Sequence, residues 1–221
     1  MNKGMIRVAT FAAWLAAASA HAETGRIDAQ VVDDRGAAIA DAVVIAVPDG
    51  AMPPPPAQPR MAVDQIDKEF VPRVQPILVG SLVYFPNKDN IRHEVYSFSP
   101  AKRFQLPLYS GTPAKPVLFD KPGLVVLGCN IHDWMIGYIY VSESPYFAKT
   151  GADGKASIAE LPAGRYTVRL WHPQMEDTED STHQSVDLAG AQHADLKWTL
   201  KLKPEIHVRR APTDEHGGTH Y

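Results

Sequence analysis

One eight-residue stretch, Gly128 to Met135 (GCNIHDWM), holds three side chains that commonly bind metals. Cys129 is the only cysteine of the 221 residues, and His132 follows it by three positions. A thiolate and a thioether are soft ligands that favour copper(I), whereas an imidazole serves both oxidation states of copper. Two histidines and one cysteine, with a weak axial methionine, form an electron-transfer copper centre. The stretch therefore offers three of the four ligands and needs one more histidine.

His93 is the best candidate for that fourth ligand. It begins a predicted strand, 93–98, directly after a polar loop, so its ring can reach one end of a β-sandwich. The predicted strand 124–129 delivers the thiol to the same end. The other histidines fit less well because they lie in the last predicted strands or in and near the C-terminal tail: His172, His183, His193, His207, His216 and His220.

Other interpretations of Cys129 compete with a copper site. A lone cysteine on a strand is commonly a small buried hydrophobe. A catalytic thiol needs a base presented from elsewhere in the fold, and His132 is too near in sequence to match that arrangement. Zinc accepts cysteine and histidine but has no use for a thioether. Copper is the interpretation that uses all three side chains of the loop.

The motif resembles a known family. Pro122-Gly123, then a strand, then Cys-x-x-His-x-x-Met, is similar to the plastocyanin/azurin family of cupredoxins, with amicyanin and pseudoazurin as the closest forms. Upstream, VYFPN at 83–87 and HEV at 93–95 resemble the cupredoxin pattern in which an asparagine precedes the first histidine ligand by six residues. The resemblance covers roughly residues 61–141. It implies one copper ion, held by four ligands and supported by an asparagine that hydrogen-bonds to the cysteine loop: His93, Cys129, His132 and Met135, with Asn87.

The same resemblance implies an electron carrier rather than an enzyme. The electron would leave through the exposed edge of His132, and the flanking Ile131 and Trp134 would give an apolar rim for brief docking of redox partners. Amicyanin-type loops carry a proline after the second histidine, where this chain has Asp133, so the redox potential stays open. Two alternatives remain: a copper-binding protein for delivery, storage or sensing, and a sandwich protein whose copper loop is incidental.

The elements that must position these residues are predicted to be strands. Helical signals are scarce after the N-terminal segment, and short apolar or alternating runs are separated by turn residues. Many short strands of this kind predict an all-β fold built of β-sandwiches. The stretch 102–115 reads as irregular.

The flanks of the copper region resemble a second family. GRIDAQVVD at 25–33, and the DG and LPAGRYTV motifs between 153 and 168, are similar to carboxypeptidase regulatory-like domains, which are transthyretin-like or Cna-B-like β-sandwiches. We expect 24–50 and 143–203 to form that sandwich, with a Greek-key cupredoxin-like domain, 52–142, inserted in it. The alternative is a tandem in which 24–50 packs onto the copper domain. The arrangement is similar to exported bacterial proteins labelled methylamine-utilisation proteins.

The N-terminus and the charge indicate the compartment and the kind of partner. Residues 1–22 combine two basic residues, a short apolar run and the small-x-small site Ala20-His21-Ala22, which predicts a cleaved signal peptide and a periplasmic protein without a membrane span. The remaining chain has 20 basic and 25 acidic residues, a net charge near −5 that argues against nucleic acid as a partner. We expect transient redox proteins as partners, the second sandwich as a further candidate docking module, and a flexible tail at 204–221.

Overall fold

The computed structural model describes residues 24–54, 60–113, 115–190 and 192–204. Over these ranges the chain forms strands and one short 3-10 helix, which confirms the predicted all-β fold class. None of the helical structure in the described ranges is long and apolar enough to cross a membrane. The predicted signal peptide at 1–22 and nearly all of the predicted tail at 204–221 lie outside the described residues, as does part of the proline run.

The strands in chain order are β1 (Gly25–Asp33), β2 (Val43–Pro48), β3 (Arg60–Ala62), β4 (Asp64–Ile66), β5 (Glu69–Val71), β6 (Val74–Leu78), β7 (Ser81–Tyr84), β8 (His93–Ser99), β9 (Lys102–Tyr109), β10 (Val117–Phe119), β11 (Gly123–Gly128), β12 (Ile136–Ser142), β13 (Phe147–Lys149), β14 (Lys155–Leu161), β15 (Gly164–Trp171), β16 (Gln184–Leu188) and β17 (His193–Leu200). The 3-10 helix is Glu179–Thr182, between β15 and β16.

One sandwich is built from the two ends of the described chain. Its sheets have the strand orders β14-β1-β17 and β13-β2-β15-β16. Alternate residues of a strand face opposite sides of a sheet, so the period-two pattern of β1 sends Ile27, Ala29 and Val31 into the core. They meet Val168 and Leu170 of β15 in one apolar cluster. We call this unit the outer sandwich.

A second sandwich is built from the middle of the chain. Its sheets have the orders β10-β7-β3 and β6-β12-β11-β8-β9. Val95 of β8, Val125 and Leu127 of β11, and Ile139 of β12 pack in its core. Cys129, one residue beyond the end of β11, belongs to the same buried cluster. We call this unit the inner sandwich, and its β11–β12 end carries the predicted copper loop.

The edge of the inner sandwich corrects one expectation. The stretch 102–115 was expected to be irregular, but 102–109 forms β9, paired antiparallel with β8. Its inward residues are only partly buried, because β9 is the edge strand of its sheet. Phe104 and Leu106 alternate with polar residues as in a strand, but Pro107 lies within the run, and proline in a strand is confined to edge strands such as β9.

The pairing of the strands supports the expected arrangement of the chain. Among the described residues, β1 and β2 pair only with strands from 147–200, and the strands from 60 to 142 pair among themselves. We propose on this basis that 24–50 and 143–203 form one domain and that 52–142 is inserted in it. The likeness of the outer sandwich to carboxypeptidase regulatory-like domains rests on the sequence motifs alone and stays a prediction.

The two sandwiches share a buried contact. Val43, Ile45 and Trp171 of the outer sandwich form one apolar cluster with Val74 and Tyr140 of the inner sandwich. The Trp171 ring centroid lies 5.7 Å from that of Tyr140. We call these residues the interface cluster. Burial of aromatic surface stabilises this contact between the two sandwiches.

A polar network borders the interface cluster. The Arg169 guanidinium pairs with Glu179 and, at 2.5 Å, with Glu143. The Tyr140 hydroxyl, which comes from the inner sandwich, donates to Glu179 at 2.5 Å. Burial lowers the pKa of Arg169, but its hydrogen bonds to Glu143 and Tyr140 outweigh this effect, and the net pKa is raised. The guanidinium therefore stays charged. The network therefore links β12, which follows the copper loop, to the outer sandwich.

Candidate metal centre

Three predicted ligands meet at one end of the inner sandwich. The Cys129 Sγ atom lies 3.8 Å from His93 Nδ1 and 3.8 Å from His132 Nδ1. The three ligand atoms lie within 4.8 Å of one another, and all three side chains are buried. His93 opens β8 and Cys129 follows β11, so the antiparallel β8–β11 pairing joins residues that are 36 positions apart in sequence. The geometry suits a single ion placed between the three atoms.

Met135 lies on the same loop and is buried beside this group. Its backbone N–H donates to the His132 carbonyl at 2.9 Å, which closes a tight turn in the loop. Its side chain is only 1% exposed and packs in the same core cluster as Cys129. The loop therefore brings the fourth predicted ligand to the same end of the sandwich.

The protonation states of the group suit a cation. Burial raises the pKa of Cys129, but the bonds from His93 and from the backbone N–H groups of Ile131 and Glu94 outweigh it, and the net pKa is below its usual value. Burial and the nearby His93 charge lower the pKa of His132, so its ring stays neutral. A metal binds a thiolate and neutral imidazoles, so a copper ion would find Cys129 and His132 in suitable states and would displace the proton that His93 holds between Cys129 and Asp89.

Asp89 orients the first histidine. Its Oδ2 atom lies 2.7 Å from His93 Nε2, and this bond turns Nδ1 towards Cys129. Burial lowers the pKa of His93, but the hydrogen bonds to Cys129 and Asp89 outweigh it, and the net pKa is raised. Partners of this kind fix the orientation of a metal-binding imidazole and increase its basicity. The sequence prediction missed Asp89, although its position four residues before His93 was a usable signal.

A β-hairpin holds Asp89 in turn. The backbone N–H groups of Asp67 and Lys68, in the turn between β4 and β5, donate to the Asp89 carboxylate at 2.7 and 2.9 Å. Phe70 of β5 is buried in the core of the inner sandwich. It packs so tightly on Gly137 of β12 that a Cβ atom there would lie 2.9 Å from Phe70 Cβ. Both polar and apolar contacts therefore anchor the hairpin at the end of the inner sandwich where His93, Cys129 and His132 meet.

Asn87 makes different contacts from those that the resemblance implied. Its amide nitrogen donates to the carbonyls of Ile91 and Tyr109 at 2.8 and 2.9 Å, and its Oδ1 accepts from the Asp89 backbone at 3.0 Å. These bonds brace the loop that carries His93 rather than the cysteine loop. In the described ranges the Cys129 sulfur instead accepts hydrogen bonds from the backbone N–H groups of Ile131 and Glu94.

The expected exposed edge of His132 is wrong. The residue is only 1% exposed, and its Nε2 atom is buried without a hydrogen-bond partner among the described residues. The Trp134 ring lies 5.1 Å from the His132 ring, and Lys68 of the β4–β5 turn lies close enough to lower its pKa. The hairpin and Trp134 therefore close the end of the sandwich, while Ile131 remains 41% exposed.

A second group of polar side chains in the outer sandwich resembles a metal site only superficially. His193 Nε2 lies 3.0 Å from carboxylate oxygens of both Asp28 and Asp195. Arg26 pairs with Asp28 at 3.0 Å and also contacts His193 Nδ1 at 3.4 Å. The guanidinium already neutralises part of this exposed cluster, which argues against a cation there.

Comparison with known proteins gives partial structural matches. No protein-family model matches the chain, and no curated protein matches it. A copper-containing nitrite reductase from Thermus scotoductus SA-01 is similar at 27% identity and a TM-score of 0.37, covering 44% of this chain and 25% of that one. A purple cupredoxin from Nitrosopumilus maritimus is similar at 22% identity and a TM-score of 0.33, covering 37% of this chain and 98% of that one.

A third similar structure is a reduced mutant form of amicyanin, at 21% identity and a TM-score of 0.33. The match covers 43% of this chain and 86% of that one. The chain thus spans a quarter of the length of the nitrite reductase and most of the length of the two smaller proteins. At these TM-scores the likenesses assign the chain to no family.

Proposed function

We propose that His93, Cys129, His132 and Met135 bind one copper ion and that the protein carries single electrons without being an enzyme. One observation carries this proposal: the sulfur of Cys129 and the Nδ1 atoms of both histidines converge within 4.8 Å in a buried site. Two imidazoles, one thiolate and a nearby thioether make a donor set that suits both copper(I) and copper(II). Bound copper would supply the one-electron chemistry.

The surrounding residues support this role in three ways. Asp89 fixes the His93 ring, and backbone N–H groups of Ile131 and Glu94 hold the sulfur, so the ligands need little rearrangement when the charge of the site changes. Burial of the ligands keeps water away from them. A rigid site of compromise geometry is what fast electron transfer between two oxidation states requires.

The setting of the proposed carrier follows from the sequence. The predicted signal peptide at 1–22 favours a periplasmic location, and the acidic net charge argues against nucleic acid. Transient redox proteins are the partners that an electron carrier needs. The outer sandwich, held against the inner one by the interface cluster, is a candidate for additional docking.

A copper-binding protein for delivery, storage or sensing is the second candidate. The burial of His132 beneath Trp134 and the β4–β5 hairpin favours it, because a closed site retains its ion and removes the expected path for the electron. This candidate predicts tight binding of copper(I) and slow oxidation of the bound ion.

The visible spectrum of the mature protein loaded with copper(II) tests the proposal. We expect an intense thiolate-to-copper band that reductant bleaches and that Cys129→Ser abolishes. His132→Gln should weaken or shift the band, whereas His183→Gln, a partly exposed histidine outside the site, should leave it unchanged. Tight copper(I) binding without the band would favour the second candidate, and binding of neither state would leave Cys129 as an ordinary core residue.

A further inference from the structure

The outer face of the five-stranded sheet carries aromatic and aliphatic side chains in two rows. Gly128 of β11 lies directly opposite Tyr96 of β8 on one side and Ile136 of β12 on the other. Two residues further along, Phe98 follows Tyr96, and Val126 pairs with Tyr138 of β12. These residues face away from the core, because Val95, Val125 and Leu127 point inward on the same strands.

One half of this face is covered and the other is open. Tyr138 and Leu124 pack against the interface cluster, where the outer sandwich lies. Phe98 is 76% exposed, Val126 39% and Ile136 40%. The Tyr96 ring lies 5.1 Å from the Phe98 ring, so the exposed groups are continuous. We call Tyr96, Phe98, Val126 and Ile136 the outer-face patch; it extends the covered apolar face into solvent.

The outer-face patch lies directly behind the predicted copper ligand. The Tyr96 ring rests on Gly128, the neighbour of Cys129, so closely that a Cβ atom at Gly128 would lie 2.7 Å from Tyr96 Cζ. The absence of a side chain at Gly128 is therefore what allows this ring to contact the backbone beside the thiolate. The route from the sulfur to the patch crosses two residues and one van der Waals contact. The route through the imidazole edge of His132 ends in a buried atom instead.

We propose that the outer-face patch is the docking surface for a one-electron redox protein whose contact area is apolar and rimmed by acidic groups. This inference rests on the proposed electron-carrier function and names the partner surface of the same site. In each encounter copper(I) would lose one electron to the oxidised metal centre of the partner, which is reduced by one electron, and no proton or atom is transferred. The electron would pass by way of Cys129, Gly128 and Tyr96.

The charges around the patch specify the acidic rim of the partner. Arg103 of β9 is paired directly opposite Phe98 on the same face and is exposed. The carboxylate of Glu94, on the same face, is buried and accepts a hydrogen bond from Gln105. Arg103 thus places a positive charge directly beside Phe98, and complementary charge on a partner speeds docking.

Stopped-flow oxidation of the copper(I) protein tests the docking surface. The probes are two oxidised c-type cytochromes, one acidic and one basic, each with a potential above that of the copper site. We expect the acidic cytochrome to react faster, and Phe98→Ser to slow it about tenfold, because a well-placed aromatic side chain contributes that much to a contact. Leu118→Ser is the matched control: Leu118 is 38% exposed on the other sheet, and its loss should change the rate by less than about twofold.

Two further variants complete the test. Arg103→Gln should reduce the salt dependence of the reaction with the acidic cytochrome. Ile131→Ser tests the surface beside His132 as the alternative docking site. If this substitution slowed the oxidation of the copper(I) protein more than Phe98→Ser does, that result would overturn the proposal. So would faster reaction with the basic cytochrome, or no reaction with either one. Each variant is first checked for the unchanged copper band and melting temperature.

The outcomes separate the two proposals. If unmutated protein has no thiolate-to-copper band, the electron-carrier function fails before docking is measured. If the protein is blue and redox-active but Phe98→Ser reacts at the rate of Leu118→Ser, the copper site stands and the outer-face patch is refuted.

Discussion

Asp89 is the residue on which the geometry of the site depends most after the ligands themselves. Its carboxylate accepts hydrogen bonds from backbone N–H groups of the β4–β5 turn, and its Oδ2 atom lies 2.7 Å from His93 Nε2. Burial raises the pKa of Asp89, but its hydrogen bonds to His93, Lys68 and Asp67 outweigh it, and the net pKa is lowered. One carboxylate therefore joins a hairpin, a predicted ligand and, through that ligand, the thiolate.

Asp89→Asn should weaken copper binding while it keeps the shape of the side chain. Loss of a carboxylate that orients a metal-binding histidine typically costs about 10–100-fold in affinity. Competition with a chelator of known affinity measures this loss. Asp120→Asn is the control, because Asp120 is an exposed carboxylate that pairs with Lys102 at 3.1 Å and contacts none of the proposed ligands in the described ranges. Equal affinities for both variants would show that Asp89 does not support the metal site.

The stability of the copper-free protein should depend on pH through the same carboxylate. A carboxyl group with a lowered pKa stabilises the fold above its ordinary pKa of 3.8, and this contribution is lost as the pH falls through the lower folded value. We therefore expect the unmutated protein to be more stable than Asp89→Asn at pH 5–6 and the difference to shrink on acidification below about pH 4. Urea unfolding at a series of pH values measures it. A difference that does not change with pH would contradict the ionic origin.

At the scale of elements, the β4–β5 hairpin closes the end of the inner sandwich that carries the proposed copper ligands. Phe70 is buried at its contact with Gly137, and the hairpin turn bonds to Asp89. The period-two pattern of two three-residue strands predicts their extended backbone but not the end of the sandwich that they cover. Their position decides whether His132 faces solvent, and so which surface can meet a partner.

Phe70→Ala should open the site to small ligands. Removing a buried phenylalanine costs about 3–5 kcal/mol of stability, and here it also detaches the hairpin from β12. Azide added to the copper(II) protein should then change its visible and paramagnetic resonance spectra. Phe119→Ala is the matched control, because Phe119 is equally buried in the same core but belongs to β10. If both variants admit azide alike, general loosening rather than the hairpin explains the access.

At the scale of the whole molecule, the interface cluster and the Arg169 network join the two sandwiches. Tyr140 contributes both a ring to the cluster and a hydroxyl to Glu179. Because β12 runs from the copper loop to this contact, binding energy gained at the site can stabilise the outer sandwich as well.

Arg169→Met should uncouple the two sandwiches. Removing one partner of this partly buried ion network leaves two carboxylates uncompensated and costs about 1–3 kcal/mol. In calorimetry we expect the unmutated protein to unfold in one transition, and we expect copper to raise the temperature of that transition. In Arg169→Met we expect two transitions, one for each sandwich, and we expect copper to raise the temperature of the inner sandwich's transition only. Arg165→Met, which removes an exposed arginine 3.8 Å from Asp187, should behave like the unmutated protein. A single copper-sensitive transition in Arg169→Met would mean that the apolar contacts alone couple the sandwiches.

The sequence by itself determined the all-β class and the types and spacing of the candidate ligands. Cys129, His132 and Met135 share one loop, so their closeness is fixed by a few covalent bonds. The alternation of apolar and polar residues is equally local, and it indicated β8 and β11 within a residue or so. On the edge strand β9, where Pro107 lies within an otherwise alternating run, the prediction of irregular structure was wrong.

Only the tertiary structure decided which distant residues meet. The contact of His93 with Cys129 and the bond of Asp89 to the hairpin join segments that lie far apart in sequence. The burial of His132 and the fit of Tyr96 on Gly128 likewise depend on which strands pair and on which end a hairpin covers. A local pattern fixes the face of a strand, but its neighbours are chosen by packing summed over the whole core.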